Sequence, residues 1–235
     1  MTPNSARGQL ISCVIPSLNE ATTIVQCLEQ FVHLPGRWEI IVADSGSSDG
    51  TAQLAAATPG VTVVDGPPGR GAGMNAGAAV ATGDLLLFLH ADTRLPPSAW
   101  HLVTSELADP RTSLTGFHLR MDRHDGPYRL VPLISRVRVI VQRTVFGDQA
   151  IAVRRADFGA VGGFRDLALM EDVDFSHRMR RLGRLRMLHG SVTTSARRFE
   201  RHGPWRTLVF MAGLQAAYAL GVPAERLARR YAEVR

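Results

Sequence analysis

Between Gln9 and Asp109 the chain repeats one pattern: a short apolar run, a polar or glycine-rich turn, then a helix-forming segment. "QLISCVIP" leads to "EATTIVQCLEQFVH", "WEIIVADS" to "SSDGTAQLAAAT", "VTVVDG" to "GAGMNAGAAVAT", and "GDLLLFLHAD" to "PPSAWHLVTSELAD". The spacing of Ile24, Cys27, Leu28 and Phe31 is helical, Ser47, Ser48 or Asp49 can cap the second helix, and prolines open the fourth. Strands that alternate with helices at this spacing must run parallel, joined by right-handed crossovers. This excludes an all-β or all-helical fold for the first half.

After Asp109 the pattern changes. "SLTGFHLRMDRH" alternates like an antiparallel strand, "YRLVPLISRVRVIVQRTVF" is amphipathic and basic, and "QAIAVRR" is a further strand. "MEDVDFSHRMRRLG" is a helix ending at Gly183, "RLRMLHGSVTTSARRF" is strand-like, and helices finish the chain. With no linker and no internal repeat, the expectation is one α/β domain over residues 1–235, with a mixed, mainly parallel sheet flanked by helices.

In an open parallel sheet, ligands bind outside the carboxyl ends of the strands. Three of those ends are polar here: "PSLNE", "ADSGSSDGT" and "HADT". Any one of them is an ordinary turn or helix cap; all three would line one edge of one sheet. Asp92, beside Thr93, offers a hard oxygen ligand of the kind that binds a divalent cation together with substrate phosphates. "GRGAGMNAG", Gly69 to Gly77, leaves backbone N–H groups at a helix start, and Arg70 adds a charge suited to phosphate.

The formal charge of +6 points to anionic partners, yet aromatics make up only 6% and no base-stacking signature is present, so nucleic acid is not expected as a partner. Cys13 and Cys27 read as small buried hydrophobes in a reducing cytoplasm. "MTPNSARGQL" lacks the apolar core of a signal peptide, and Thr207 to Val222, interrupted by Gln215, reads as a buried or interfacial helix. The expected location is cytoplasmic, with at most weak peripheral contact at the inner face of a membrane.

"IPSLNE", "VADSGSSDGT", "RGAGMNAG", "LHAD", "GGF" and "MEDVDFSHRMRRLG" occur in the order seen in family 2 glycosyltransferases of the GT-A, Rossmann-like fold, which the chain resembles from about Ile11 to Phe199. "GDQAIAVRR", "LMEDVDFS" and "TSARRFERHG" are similar to a compact bacterial branch associated with radical-SAM/selenodomain proteins and arsenosugar biosynthesis. The resemblance implies a nucleotide-binding half over about 10–95, an acceptor and catalytic half over about 96–200, and C-terminal helices over 201–235. It implies transfer of a sugar from a nucleotide-sugar donor, a UDP-sugar, to an acceptor hydroxyl, with inversion. Pro16, Asn19 and Glu20 would frame the nucleoside, and Asp44, with Ser45 beside it, would accept from the base. Arg70, Gly71 and Asn75 would lie near the diphosphate. His90, Ala91 and Asp92 occupy the position of the family's D-x-D motif, with Asp92, and with it His90, as ligands of Mn²⁺ or Mg²⁺.

By the same resemblance Asp172, beside Glu171, matches the catalytic base, and its place at a helix N-terminus favours the ionised form. Arg198 would contact the diphosphate or acceptor, with Arg197 as a second arginine. Asp148, Gln149 and Gly163 would face the acceptor. The chain departs from the family pattern where His90 and Ser45 replace aspartates and Ala196 stands at the place of a further metal-binding histidine. Three rival readings are weaker. A nucleotidyltransferase needs an early Gly-rich loop where "IPSLNE" stands. A nicotinamide-dependent oxidoreductase leaves Asp44, Asp92 and Asp172 unexplained. A non-catalytic nucleotide-sugar or membrane-associated binding protein leaves Asp172 without a role.

Overall fold

The apolar runs of the first half become the strands around which everything else is built. The computed structural model describes residues 8–123 and 125–232, the side chains of Arg198, Arg201, His202 and Ala232 excepted. In chain order the first elements are β1 (Leu10–Ser17), α1 (Ile24–His33), β2 (Arg37–Asp44), α2 (Thr51–Ala56), β3 (Val61–Asp65), α3 (Arg70–Val80), β4 (Leu85–Phe88), β5 (Thr93–Arg94) and α4 (Ala99–Leu107). There follow β6 (Thr112–Met121), α5 (Leu130–Gln142), β7 (Ile151–Arg154), α6 (Arg155–Ala160), α7 (Glu171–Met179), β8 (Arg184–Thr194), α8 (Arg197–His202), α9 (Pro204–Ala219) and α10 (Ala224–Ala232).

The strands form one eight-stranded sheet in the order β3-β2-β1-β4-β7-β6-β8-β5. β1 pairs in parallel with β2 on one side and β4 on the other, and β3 extends β2. β7 then joins β4 antiparallel, so the second half of the chain enters beside the central strand. β6 and β8 pair in parallel, while β6–β7 and β5–β8 are antiparallel. The expected mixed, mainly parallel sheet is therefore observed. Its strand order reverses direction between β1 and β4, and the loops that follow these two strands open a crevice there.

Alternation along β1 divides the core. Ile11, Cys13 and Ile15 pack with α1 and α4, whereas Val14 faces α3 and α7 on the other side. Gly77 of α3 is required for that second contact, because an added Cβ would lie 2.4 Å from Val14 Cγ1. Phe88, Phe158, Phe164 and Phe175 form an aromatic cluster with ring centroids 4.3 to 5.7 Å apart, and it anchors α7 under the end of β4. α9 and α10 make a third, smaller core with Phe146, Leu169, Met170 and Val173. Cys13 and Cys27 are buried free thiols; burial raises both, Cys27 to about 12, so neither is a ready nucleophile.

Three local expectations are corrected and a fourth is narrowed. The strand in "GDLLLFLHAD" ends at Phe88, leaving His90 to Asp92 in a turn. The cap residue of α2 is Gly50 at φ 90°, and Asp49 reaches past it to take the Thr51 N–H at 3.0 Å. "SARRF" is not strand: β8 ends at Thr194, Ser195 and Ala196 connect, and Arg197 already begins α8. Of the two readings of the late apolar segment, the fully buried one does not hold, since in α9 only Thr207 and Leu214 are buried. Among the described residues no helix is long and apolar enough to cross a membrane.

Candidate active site

The loops after β1 and β2 are fastened to each other by polar side chains. Asn19, at φ 56°, donates its N–H to Ser47 Oγ at 2.8 Å, and its Oδ1 accepts from the Ser48 N–H at 2.9 Å. The N–H groups of Glu20 and Ala21 donate to Thr51 Oγ1 and Asp49 Oδ2 at 2.8 and 3.0 Å. The Asp44 carboxylate accepts from the Ser17 and Ser47 hydroxyls at 3.1 and 2.6 Å and from the Gly46 and Ser47 N–H groups at 3.2 and 2.8 Å. Those four bonds fill the roughly four acceptor sites of a carboxylate. A nucleobase N–H at Asp44 would therefore have to displace a serine hydroxyl. Ser45 donates to the Pro67 carbonyl at 3.1 Å, which draws the turn before α3 against the end of β2. Pro16 lies on the same edge, near Gly73.

At the end of β4 the balance of donors and acceptors is left open. His90 Nε2 is buried without a hydrogen-bond partner. A Cβ on Gly147 would stand 3.1 Å from that nitrogen and 3.4 Å from Asp172 Oδ2, so glycine leaves the space between them clear. The Gly147 N–H donates to Asp172 Oδ2 at 2.7 Å, and the Val173 N–H donates to Oδ1 at 2.8 Å. The His90 imidazole is pushed toward its neutral form by burial and by Arg70, against the pull of Asp92, Asp148 and Asp172. These charges from the turn after β4, from α3, from the segment before β7 and from α7 thus surround one ring.

The direction expected for Asp172 is reversed: its carboxyl is raised rather than lowered. Burial is the largest influence and the neighbouring Glu171 carboxylate the next, and together they hold the Asp172 carboxyl above the usual range; the Gly147 N–H and Arg70 only partly offset them. Position at a helix N-terminus is outweighed because α7 begins inside the protein. Met170, just before it, is buried in the left-handed region at φ 67°, a backbone state that directs α7 into the cleft.

Glu171 does not share the position of Asp172. It is buried, with Oε1 3.3 Å from Arg70 Nη1, and serves as counter-ion to that arginine. Arg70 is held charged chiefly by Glu171 and also donates to the Tyr231 hydroxyl of α10. Its side chain remains about one-third exposed, at 32%, and so is open to a ligand. Gly71 allows the contact, since a Cβ there would lie 3.4 Å from Glu171 Cβ and 3.1 Å from the Arg165 carbonyl oxygen.

Asp92 stands at the other side of the turn that includes buried Ala91. Its Oδ1 accepts weakly from the Thr93 and Thr194 hydroxyls at 3.3 and 3.4 Å, and its Oδ2 is 3.7 Å from Arg197 Nη2. Arg197 also holds Glu20 Oε2 at 2.5 Å and Thr22 Oγ1 at 3.2 Å. Arg197 is thus the arginine seen to bridge Asp92 and the loop after β1; the Arg198 side chain lies outside the described residues. The single missing signal was direction, because two adjacent arginines look alike in a sequence and only the turn before α8 aims one of them.

Three expected site residues are consumed by the protein itself. Asn75 clamps the Phe164 backbone, donating to its carbonyl at 2.8 Å and accepting from its N–H at 2.9 Å. Gly163, at φ 66°, makes room for that clamp, since a Cβ would come within 2.6 Å of Asn75 Oδ1. Gln149 is buried and bonded to the Phe146 N–H and the Ser135 hydroxyl at 2.9 and 3.3 Å. All three are taken up by contacts within the protein, so none presents its polar group to a ligand. Asp148 pairs with Arg138 at 3.2 Å but keeps a third of its surface exposed, and the Arg138 guanidinium lies 3.6 Å over the Phe146 ring. Gly147 and Tyr231 were missed: a glycine that only donates its N–H, and a tyrosine far away in the chain, carry no motif.

No group of three His, Cys, Asp or Glu side chains among the described residues is arranged to hold a metal ion. Asp92 supplies one carboxylate with weakly engaged oxygens, and the buried His90 nitrogen lies near it in the chain. That donor set fits a hard divalent cation only where a diphosphate and water complete the shell. The arrangement as a whole pairs a raised carboxylate base with cations at Arg70 and Arg197, which suits removal of a proton on one side and acceptance of negative charge on the other.

Comparison with known proteins bears on the family and the fold. The model of the family described as Glycosyl transferase family 2 matches residues 12–144, more than half of the chain. An undecaprenyl-phosphate 4-deoxy-4-formamido-L-arabinose transferase from Aeromonas hydrophila is 34% identical over 169 residues, covering 67% of this chain and 49% of its own. The chain spans about two-fifths to three-fifths of the length of the curated relatives it matches. A mannosyltransferase from Pyrobaculum calidifontis, solved with GDP-Man and Mn²⁺, superimposes with a TM-score of 0.65 at 20% identity, over 99% of this chain and 82% of the other. Glucosyl-3-phosphoglycerate synthase from Mycobacterium tuberculosis, solved with Mn²⁺ and UDP-glucose, gives 0.57 at 22% identity, over 80% and 70%. Both neighbours establish the GT-A fold.

Proposed function

The chain belongs to glycosyl transferase family 2, and from that premise we propose that it moves a sugar from a nucleoside-diphosphate donor to an acceptor hydroxyl with inversion, Asp172 acting as the general base. The observation that carries this reading is the carboxylate of Asp172, oriented by the Gly147 N–H at 2.7 Å and faced across Gly147 by the unpartnered His90 nitrogen. Asp172 takes the acceptor O–H proton as that oxygen bonds to the anomeric carbon. The bond from the same carbon to the diphosphate oxygen breaks, and its electron pair leaves with the nucleoside diphosphate. Arg70 and Arg197 receive that charge.

Asp92, with His90 as second protein ligand, would hold a divalent cation, Mn²⁺ or Mg²⁺. When bound, such an ion neutralises charge on the leaving diphosphate. Support comes from the solved neighbours, which hold Mn²⁺ with GDP-Man or UDP-glucose. We assign the donor as a UDP-sugar. Within the family, "GDQAIAVRR" and "TSARRFERHG" support the compact radical-SAM-associated bacterial branch. The buried free cysteines support a cytoplasmic setting.

Calorimetric titration with UDP and with GDP, each with Mn²⁺ and with EDTA, tests the donor half. UDP binding that needs Mn²⁺ and is lost in Asp92→Ala is the expected result. Preference for GDP would overturn the uracil assignment, and binding of neither would overturn the donor site.

A further inference from the structure

α5 is amphipathic in the wrong sense for a helix that serves only the core. Its buried residues are Val131 and Ser135, while Leu130, Leu133, Ile134, Val137, Ile140 and Val141 are all exposed, Ile140 and Val141 at 74% each. These six recur at helical three- and four-residue spacing and so form one continuous apolar stripe. α5 contains no Asp or Glu, and its exposed charge is Arg136. At its carboxyl end the stripe runs into a cavity of about 400 Å³, with Val139, Ile140 and Met187 among its walls and three exposed arginines, Arg143, Arg180 and Arg184, around it. No carboxylate lines that cavity. α9, tied to α5 by the Gln142–Gln215 bond of 3.1 Å, exposes Trp205 and Val209 in addition.

An apolar stripe beside guanidinium groups matches a surface that offers phosphate at one depth and acyl chain just below it. A second copy of the chain is a poor match. In a two-fold contact this face would meet itself, setting arginine against arginine with no carboxylate on the face to relieve it.

We infer that α5 and the adjoining arginine-rimmed cavity form a docking surface for a bilayer containing anionic phospholipid. α5 lies in the headgroup plane, its exposed Leu, Ile and Val side chains enter the acyl boundary, and Arg143, Arg180 and Arg184 take the lipid phosphates. The inference does not rest on sugar transfer, so its failure would leave the donor site untouched.

Flotation of the full chain with vesicles of phosphatidylcholine alone, or mixed with phosphatidylglycerol, is the test. Binding is expected with the phosphatidylglycerol mixture only. A Val137→Glu/Ile140→Glu double variant, changed at exposed positions and checked for an unaltered melting temperature and circular dichroism, is expected to lower the partition coefficient about tenfold or more. Arg143→Glu with Arg184→Glu is expected to lower it similarly. Absence of flotation, or flotation unchanged in both double variants, would overturn the inference. So would a dimer seen by light scattering that Val137→Glu/Ile140→Glu converts to monomer, since that would assign the face to a second copy.

Discussion

Asp172 carries two opposed influences, a 2.7 Å N–H bond that favours its charge and a buried setting beside Glu171 that disfavours it. Because burial wins, the base form appears only as pH rises above the ordinary carboxylate range. The acid limb of kcat/KM should therefore lie above about 4. The sign for stability is opposite: the unfolded chain releases this proton first, so ionisation of Asp172 lowers stability as pH rises from the ordinary value toward the raised one. Asp172→Asn keeps an acceptor for Gly147 and removes the buried charge. Transfer should fall by about 10²–10⁴, while the melting temperature at pH 7 stays level or rises. A clear drop in melting temperature would show that the carboxylate is structural. Gly147→Ala tests the space between His90 and Asp172, since its Cβ would crowd both at 3.1 and 3.4 Å. We expect impaired turnover with unaltered thermal unfolding, measured side by side.

At the level of elements, the site is held by clamps between segments that are distant in sequence. Asn75 joins α3 to the loop before α7 through both polar groups of Phe164. Asn75→Ala leaves a backbone N–H and a carbonyl without that partner and should cost about 1–3 kcal/mol, seen as a lower urea midpoint at unchanged slope. Arg197 is different: it is 40% exposed and spans Glu20 and Asp92 from α8. Arg197→Ala should cost under about 1 kcal/mol yet weaken UDP binding in calorimetry; unaltered UDP affinity would remove Arg197 from the donor site. The elements themselves were readable, because β-branched runs and helical spacing are local signals. The clamps were not. Asn75 looks like a phosphate-loop residue and Gln149 like an acceptor contact until their partners Phe164 and Ser135, 89 and 14 residues away, are known.

Over the whole molecule, two halves of the chain meet at one seam. β7 pairs with β4 through Leu85–Phe88 and with β6 at Leu114 and Thr115, so the second half is attached at the centre of the first. Hydrogen exchange should be slowest in β1, β4 and β7, which are buried on both faces, and faster in α5 and α9, whose outer faces are open. Faster exchange in β4 than in α9 would contradict this arrangement of the core.

The sequence by itself determined the alternation of strands and helices, the parallel half-sheet, and the polar ends of β1, β2 and β4, because hydrophobic period and turn chemistry act over a few residues. It also carried the order of motifs that marks the family. Tertiary structure alone decided which of those polar residues face the cleft. It aimed Arg197 inward, locked Asn75 and Gln149 into backbone contacts, paired Glu171 with Arg70, and raised Asp172 instead of lowering it. Those outcomes depend on burial and on donors supplied from other elements, and neither quantity exists until the chain has folded.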